Sequence, residues 1–174
     1  GTITSGEFKV QNVETVGSYV SNAQLLSMAA AIEAVSTHPI ATSIVSEAKA
    51  QGIVVEASDF VQELAGEGMV GTVDRQQVLV GNRRLMERYA VQGYPTEPVA
   101  YGTEVLVAEG NVYLGRIIIA DEARPDSAEA IADLNGQDIK TVMLTGDAEA
   151  SANYIAKETG VSAVRAQLLP QDKL

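Results

Sequence analysis

Ser36-Thr37-His38-Pro39-Ile40-Ala41 decides how the chain is read, because it sets the single histidine of 174 residues at the mouth of a helix, five positions after Glu33. Proline fixes φ near the helical value and lacks an N–H, so it is tolerated in a first turn, and the Ser/Thr ahead of it is expected to cap the exposed donors. Upstream, Leu25, Met28, Ala29 and Ile32 recur at i, i+3, i+4, i+7 and predict an amphipathic helix that ends near Glu33, with Glu33 at the edge of its apolar stripe. A break between two helices thus sets a carboxylate and an imidazole side by side. Taken alone, the same residues also suit a half-buried helix start and a solvated acid.

Working outward, the second helix is expected over Pro39 to Gln51, with Ile40, Ile44, Val45 and Ala48 on one face and Gly52 as its stop. Upstream, Phe8 to Val16 alternates as a half-buried strand, and 18–22 offers a cap for the first helix. Downstream, Val54 to Val61, Met69 to Asp74, Gln77 to Val80, Glu104 to Ala108 and Asn111 to Ile119 predict short strands, with hairpin turns at Asp74-Arg75 and Glu109-Gly110-Asn111. A short helix over Asn82 to Val91 and a loop over Gly93 to Pro98 complete this part. Consecutive hairpins imply an antiparallel sheet with helices on one face, an α+β arrangement.

After Asp121 the pattern changes. Arg124-Pro125-Asp126 opens a helix through Leu134, Lys140 to Leu144 is a buried strand, Ala148 to Thr159 is a helix capped by Gly160, and Val161 to Ala166 is a strand. Alternation of helix and strand predicts a parallel sheet. The expected domains are residues 5–120, and residues 1–4 with 121–174 as part of a second, α/β domain.

Composition narrows the function. A net charge of −11 repels nucleic acid and anionic lipid, so neither is an expected partner, and a nucleotide site would work through local N–H groups, magnesium or a few Lys and Arg. With no cysteine there is no disulfide framework and no thiolate metal site. No apolar run approaches the roughly 20 residues that span a bilayer, and the chain reads as a soluble, monomeric piece of a larger protein.

Gly66-Glu67-Gly68-Met69-Val70-Gly71 has the text of a dinucleotide fingerprint, but the residues after it alternate and turn as a hairpin instead of opening a helix. What remains is either a strand with a bulge or a glycine pair that lets backbone approach a flat ligand. With Ser-x-His-Pro, a glutamate five residues before the histidine, and Val80-Gly81-Asn82, this stretch resembles the nucleotide-binding domain of the heavy-metal class of P-type ATPases. Met143-Leu144-Thr145-Gly146-Asp147 and Pro170-Gln171-Asp172-Lys173 are similar to motifs of the haloacid-dehalogenase-like phosphorylation domain of the same pumps.

The resemblance implies an adenine pocket formed by Glu33, His38, Gly66, Gly68 and Gly81, with ATP and Mg2+ as cofactors. It implies that Thr145, Gly146, Asp147 and Lys173 handle the transferred phosphate, and that Asp121 and Arg124 form a hinge. Gly1-Thr2-Ile3-Thr4 matches the tail of Asp-Lys-Thr-Gly-Thr-(Leu/Ile)-Thr, so the phosphorylated aspartate would precede Gly1 and a magnesium-holding segment would follow Leu174. The piece is then expected to bind adenine nucleotides without turning ATP over. The implied setting is the cytoplasmic side of a membrane, with the remaining phosphorylation, actuator and transmembrane domains as partners. Thr4-Ser5-Gly6-Glu7-Phe8-Lys9-Val10 leans to the zinc/cadmium branch over the copper branch. Two other readings stay open: a soluble haloacid-dehalogenase-like phosphatase with a large cap, and a non-catalytic nucleotide-binding regulatory module.

Overall fold

β1 (Thr4–Thr15) leads into α1 (Asn22–Glu33), which Ser21 starts. Ser21 Oγ accepts from the Gln24 N–H at 3.1 Å while Gln24 Oε1 accepts from the Ser21 N–H at 2.8 Å, a reciprocal capping box. The computed structural model describes residues 2–173, without the side chains of Pro170 and Lys173. Gly1 therefore lies outside the described residues. After α1 the order is α2 (Pro39–Ala50), β2 (Val61–Leu64), β3 (Gly68–Val73), β4 (Gln76–Gly81), α3 (Arg83–Arg88), β5 (Thr103–Glu109), β6 (Val112–Ala123), α4 (Ser127–Gly136), β7 (Val142–Leu144), α5 (Glu149–Thr159), β8 (Ala163–Arg165) and a 3-10 turn over Pro170–Lys173. No helix among the described residues is long and apolar enough to cross a membrane.

The chain divides into two compact units, Phe8–Val99 with Thr103–Ala120, and Gly1–Glu7 with Ala100–Gly102 and Asp121–Leu174. The first, the sheet unit, is built on the strand order β1-β6-β5-β4-β3-β2, with β2 to β6 paired antiparallel in sequence. The β3–β4 turn carries positive φ at both Asp74 (48°) and Arg75 (67°), the sense that matches the strand twist.

Side chains alternate across the sheet. Met69, Val78, Val80, Val105, Val107, Ile117 and Ile119 meet Leu25, Leu26, Ala29, Ala30 and Ile32 of α1 and Ile44 and Ala48 of α2. The alanines let α1 lie close to both the sheet and its partner helix. Val70, Leu79, Leu106, Ala108 and Tyr113 pack on the other face against Leu85 and Met86 of α3 and Val91. Helices therefore cover both faces, correcting the expectation of one. Burying the second face is what demands the uninterrupted apolar runs of β4, β5 and β6.

Two further corrections concern strands. Over 54–60 no strand forms, and β2 covers only Val61–Leu64. Val54 and Phe60 are exposed, and Ser58 holds the segment by other bonds, its N–H to Ala31 O at 3.0 Å and its Oγ to Thr72 O at 2.7 Å. In β7 only Met143 is buried, and Val142 and Leu144 are exposed.

The second unit pairs β7 with β8 in parallel and packs Met143, Ala152 and Ile155 against Ile3, Tyr154, Val161 and Val164. α4 begins at Ser127 and not at Pro125: Arg124 donates its N–H to Ile3 O at 2.9 Å, and a residue before proline is held out of the helical region. Gly160 closes α5 in the left-handed region at φ 76°.

Candidate functional site

α1 is buried along most of its length, and its last residue is Glu33, only 8% exposed. Burial pushes its carboxyl up to about 7, and the neighbouring Glu63 carboxylate adds to the rise. No hydrogen bond from a described residue offsets that cost. Glu63 lies on β2, opposite Met69 of β3, and shares the face of Val61, which packs on the α1 core. Glu33 is therefore a largely buried acid and not a fully solvated one.

His38 is exposed and is itself the N-cap of α2, which corrects the expectation that the Ser/Thr ahead caps the helix. Its Nδ1 accepts from the Ile40 N–H at 3.2 Å, which puts the proton of the neutral ring on Nε2. Ser36 Oγ instead accepts from the His38 N–H at 3.2 Å, and Pro39 occupies the first turn. No hydrogen bond joins His38 to Glu33.

The three glycines come together at the β2–β3 turn and the end of β4. Gly68 and Gly81 are direct cross-strand partners. A Cβ on Gly68 would collide with Val80 O and Gly81 Cα, and one on Gly81 with Glu67 O and Gly68 Cα, so both are glycine because two backbones meet there. Gly66 differs: it sits at φ +72° with open space where a side chain would stand. Of the three, Gly66 alone has no neighbour where a side chain would stand.

Sequence reasoning missed the ties on this turn. Asn82 accepts from the Arg84 and Leu85 N–H groups as the α3 cap, donates from Nδ2 to Gly66 O at 2.8 Å, and donates its own N–H to Glu67 O at 2.8 Å. Arg88 grips Glu67 with Nε to Oε2 and Nη2 to Oε1, both at 2.6 Å. Hydrogen bonding from Arg88, with the Arg88 and Arg84 charges, holds the Glu67 carboxyl below its ordinary range. An asparagine just before a predicted helix was a readable cap signal, but the Glu67–Arg88 pair is 21 residues apart and left none. On the α3 side of the sheet, a chain of ion pairs links Arg83 to Glu104 at 2.6 Å, Glu104 to Arg116 at 3.2 Å and Arg116 to Glu14 at 2.6 Å.

In the second unit Thr145-Gly146-Asp147 joins β7 to α5. Thr145 Oγ1 donates to Asp147 Oδ2 at 2.6 Å and accepts from the Asp147 N–H at 3.1 Å. The N-cap of α5 is Ala148, which offers no side-chain bond, so Asp147 does not cap and the first α5 donors are left without a side-chain acceptor. Leu169 donates its N–H to Asp172 Oδ2 at 2.9 Å within the final turn. The side chain of Lys173 lies outside the described residues. Asp121 Oδ1 accepts from the Gly6 N–H at 3.0 Å and Arg124 Nε donates to Thr4 O at 3.2 Å, so the proposed hinge residues tie down the N-terminal strand.

A β-strand, an acid-bearing turn and a helix follow one another here on a parallel pair, and the model of the haloacid dehalogenase-like hydrolases matches residues 1–174. The chain belongs to that family. Among haloacid dehalogenase-like hydrolases, its likeness is to the heavy-metal P-type ATPases. It is 45% identical over 176 residues to a zinc-transporting ATPase of Synechocystis, and 40% identical over 177 residues to the cadmium, zinc and cobalt-transporting ATPase of Bacillus subtilis. Both matches cover all of this chain and 24% of the relative, so the chain spans about a quarter of the length of these curated relatives. The crystal structure of a zinc-transporting PIB-type ATPase in an E2·Pi state superposes with a TM-score of 0.83 at 33% identity, covering 99% of this chain and 28% of that one. The motif resemblance and the α+β fold class drawn from sequence are thus met.

Proposed function

We propose that this chain is the ATP-binding part of a heavy-metal cation-translocating P-type ATPase of the zinc/cadmium kind. Residues 5–120 act as its nucleotide-binding domain, and residues 1–4 and 121–174 as part of its phosphorylation domain, on the cytoplasmic side of the membrane. The observation that carries the reading is Glu33, a buried carboxyl with no hydrogen-bond donor among the described residues. Adenine offers an exocyclic amino group, the donor this acid lacks, and pairing it with the base would offset the cost of burial.

The other residues fit the same ligand. With Nδ1 engaged by the Ile40 N–H, the His38 ring is fixed in orientation and can pack on the flat base or donate from Nε2. Gly66 leaves backbone open to the approach, while Gly68 and Gly81 shape the turn beneath it. The Thr145 hydroxyl, the Gly146 and Asp147 backbone and Lys173 are assigned to the transferred phosphate, where positioning and charge compensation are most of the catalysis. Magnesium would screen the phosphate charge.

Titration calorimetry with ATP, ADP, AMP and adenosine tests the proposal. Binding should depend on the adenine and weaken in both Glu33→Ala and His38→Gln. Phosphate-dependent binding indifferent to both substitutions would favour a phosphatase with a large cap, and no binding at all would favour a regulatory module.

A further inference from the structure

The turn of residues 65–67 is loose by its own chemistry. Gly66 at φ +72° and Gly68 at φ +141° contribute little stiffness, and within the hairpin the Glu67 N–H to Leu64 O bond, 2.9 Å, closes it at the end of the β2–β3 ladder. Its position is decided from outside, by α3. The Asn82 amide reaches Gly66 O, the Asn82 N–H reaches Glu67 O, and Arg88, one helix length further on, closes a two-bond fork on the Glu67 carboxylate. The three ties hold one short turn at two of its three peptide carbonyls and at its one charged side chain.

We infer that Arg88, acting through Glu67, is a positioning residue for the nucleotide site: the ion pair and the Asn82 ties fix where the Gly66 backbone stands against the base. The inference rests on the nucleotide reading above. A cation in the last turn of a helix also serves the helix dipole, but that role needs no partner. Single exposed ion pairs contribute little as a rule, and the exception is the planar, bidentate fork that Arg88 makes. The Glu67 side chain is 17% exposed and the Arg88 side chain 55%, so the fork is open to salt at the arginine.

The test is calorimetric titration of ATP and of adenosine into the 174-residue chain and into Arg88→Gln, Glu67→Gln, the double neutral variant and the reversed pair Glu67→Arg/Arg88→Glu. Each single neutral variant should weaken both ligands by about three- to ten-fold. The double neutral variant should weaken them no further, because either loss already opens the fork, and the reversed pair should regain most of the affinity. Arg88→Lys, which keeps the charge and loses the fork, should fall between, and serves if Arg88→Gln does not fold. If Arg88 acted instead as a cation for the phosphates, Arg88→Gln would spare adenosine and Glu67→Gln would tighten ATP, and either result overturns the inference. Wild-type binding that Arg88→Gln leaves unchanged overturns it alone. A wild-type chain that binds neither ATP nor adenosine overturns the nucleotide reading, and this inference with it.

Discussion

Glu33 in the sheet unit and Asp147 in the parallel unit are both acids at the junction between an ordered element and a loop, and they are kept in opposite ways. Glu33 is buried with no donor, and its carboxyl is pushed up to about 7. Asp147 is exposed, and within two residues its carboxylate accepts a hydrogen bond from the Thr145 hydroxyl while its N–H donates back to the same oxygen. One site is short of a partner that a ligand can bring. The other is satisfied locally, by bonds within its own turn. The fold enforces the first at some cost to itself, whereas the second asks little of its surroundings.

The backbone offers the largest way to break this comparison. Gly68→Val or Gly81→Val forces a side chain into the opposing strand, and at Gly68 also into φ +141°. Either should cost the sheet unit about 3 kcal/mol or more in urea unfolding followed by circular dichroism. Gly146→Ala meets only Leu168 O, at 3.2 Å, and should cost about 1 kcal/mol or less. Comparable losses at the two places would remove the contrast.

Protonation gives the next effect. Glu33 titrates near 7 in the folded chain against 4.5 ordinarily. Below pH 4.5 the group is neutral in both states and contributes nothing; between 4.5 and 7 the unfolded chain ionises first and stability falls; above 7 the penalty levels at about 3 kcal/mol. Glu33→Gln should therefore stabilise the chain at pH 8 by up to about 3 kcal/mol and leave it unchanged near pH 4.5. Melting curves at both pH values check this, and equal gains at both would show that Glu33 is solvated after all. Smaller still, Thr145→Val removes one hydroxyl bridge and should cost about 1 kcal/mol, with little dependence on pH in that range. The chain, which contains no Asp-Lys-Thr-Gly-Thr sequence, should form no acid-stable phosphoenzyme with labelled ATP.

Local chemistry was legible in the sequence, and contact across the fold was not. The cap within 18–22, Pro39, the Asp74-Arg75 turn and Gly160 announced their elements because each acts within a few residues. Glu33 was legible as a candidate but not as a buried one, since it sits at the edge of a stripe whose far side the sheet and α2 close over. Val54 to Val61 read as a strand on its valines, yet only Val61 pairs, and Ser58 offers the backbone before it other bonds. The second covered face could have been read from Val78-Leu79-Val80 and Ile117-Ile118-Ile119, where apolar residues do not alternate with polar ones. The glycines were legible as a group, but which of them stands open and which fills a strand contact depends on the β3–β4 register.

The most direct test of an adenine site centred on Glu33 is a titration of AMP into the labelled 174-residue chain, followed by backbone amide chemical shifts at pH 8. The account predicts shifts concentrated at Glu33, His38, Gly66 to Gly68 and Asn82, lost in Glu33→Ala. Shifts confined to Thr145 to Asp147, or unchanged by Glu33→Ala, would contradict it.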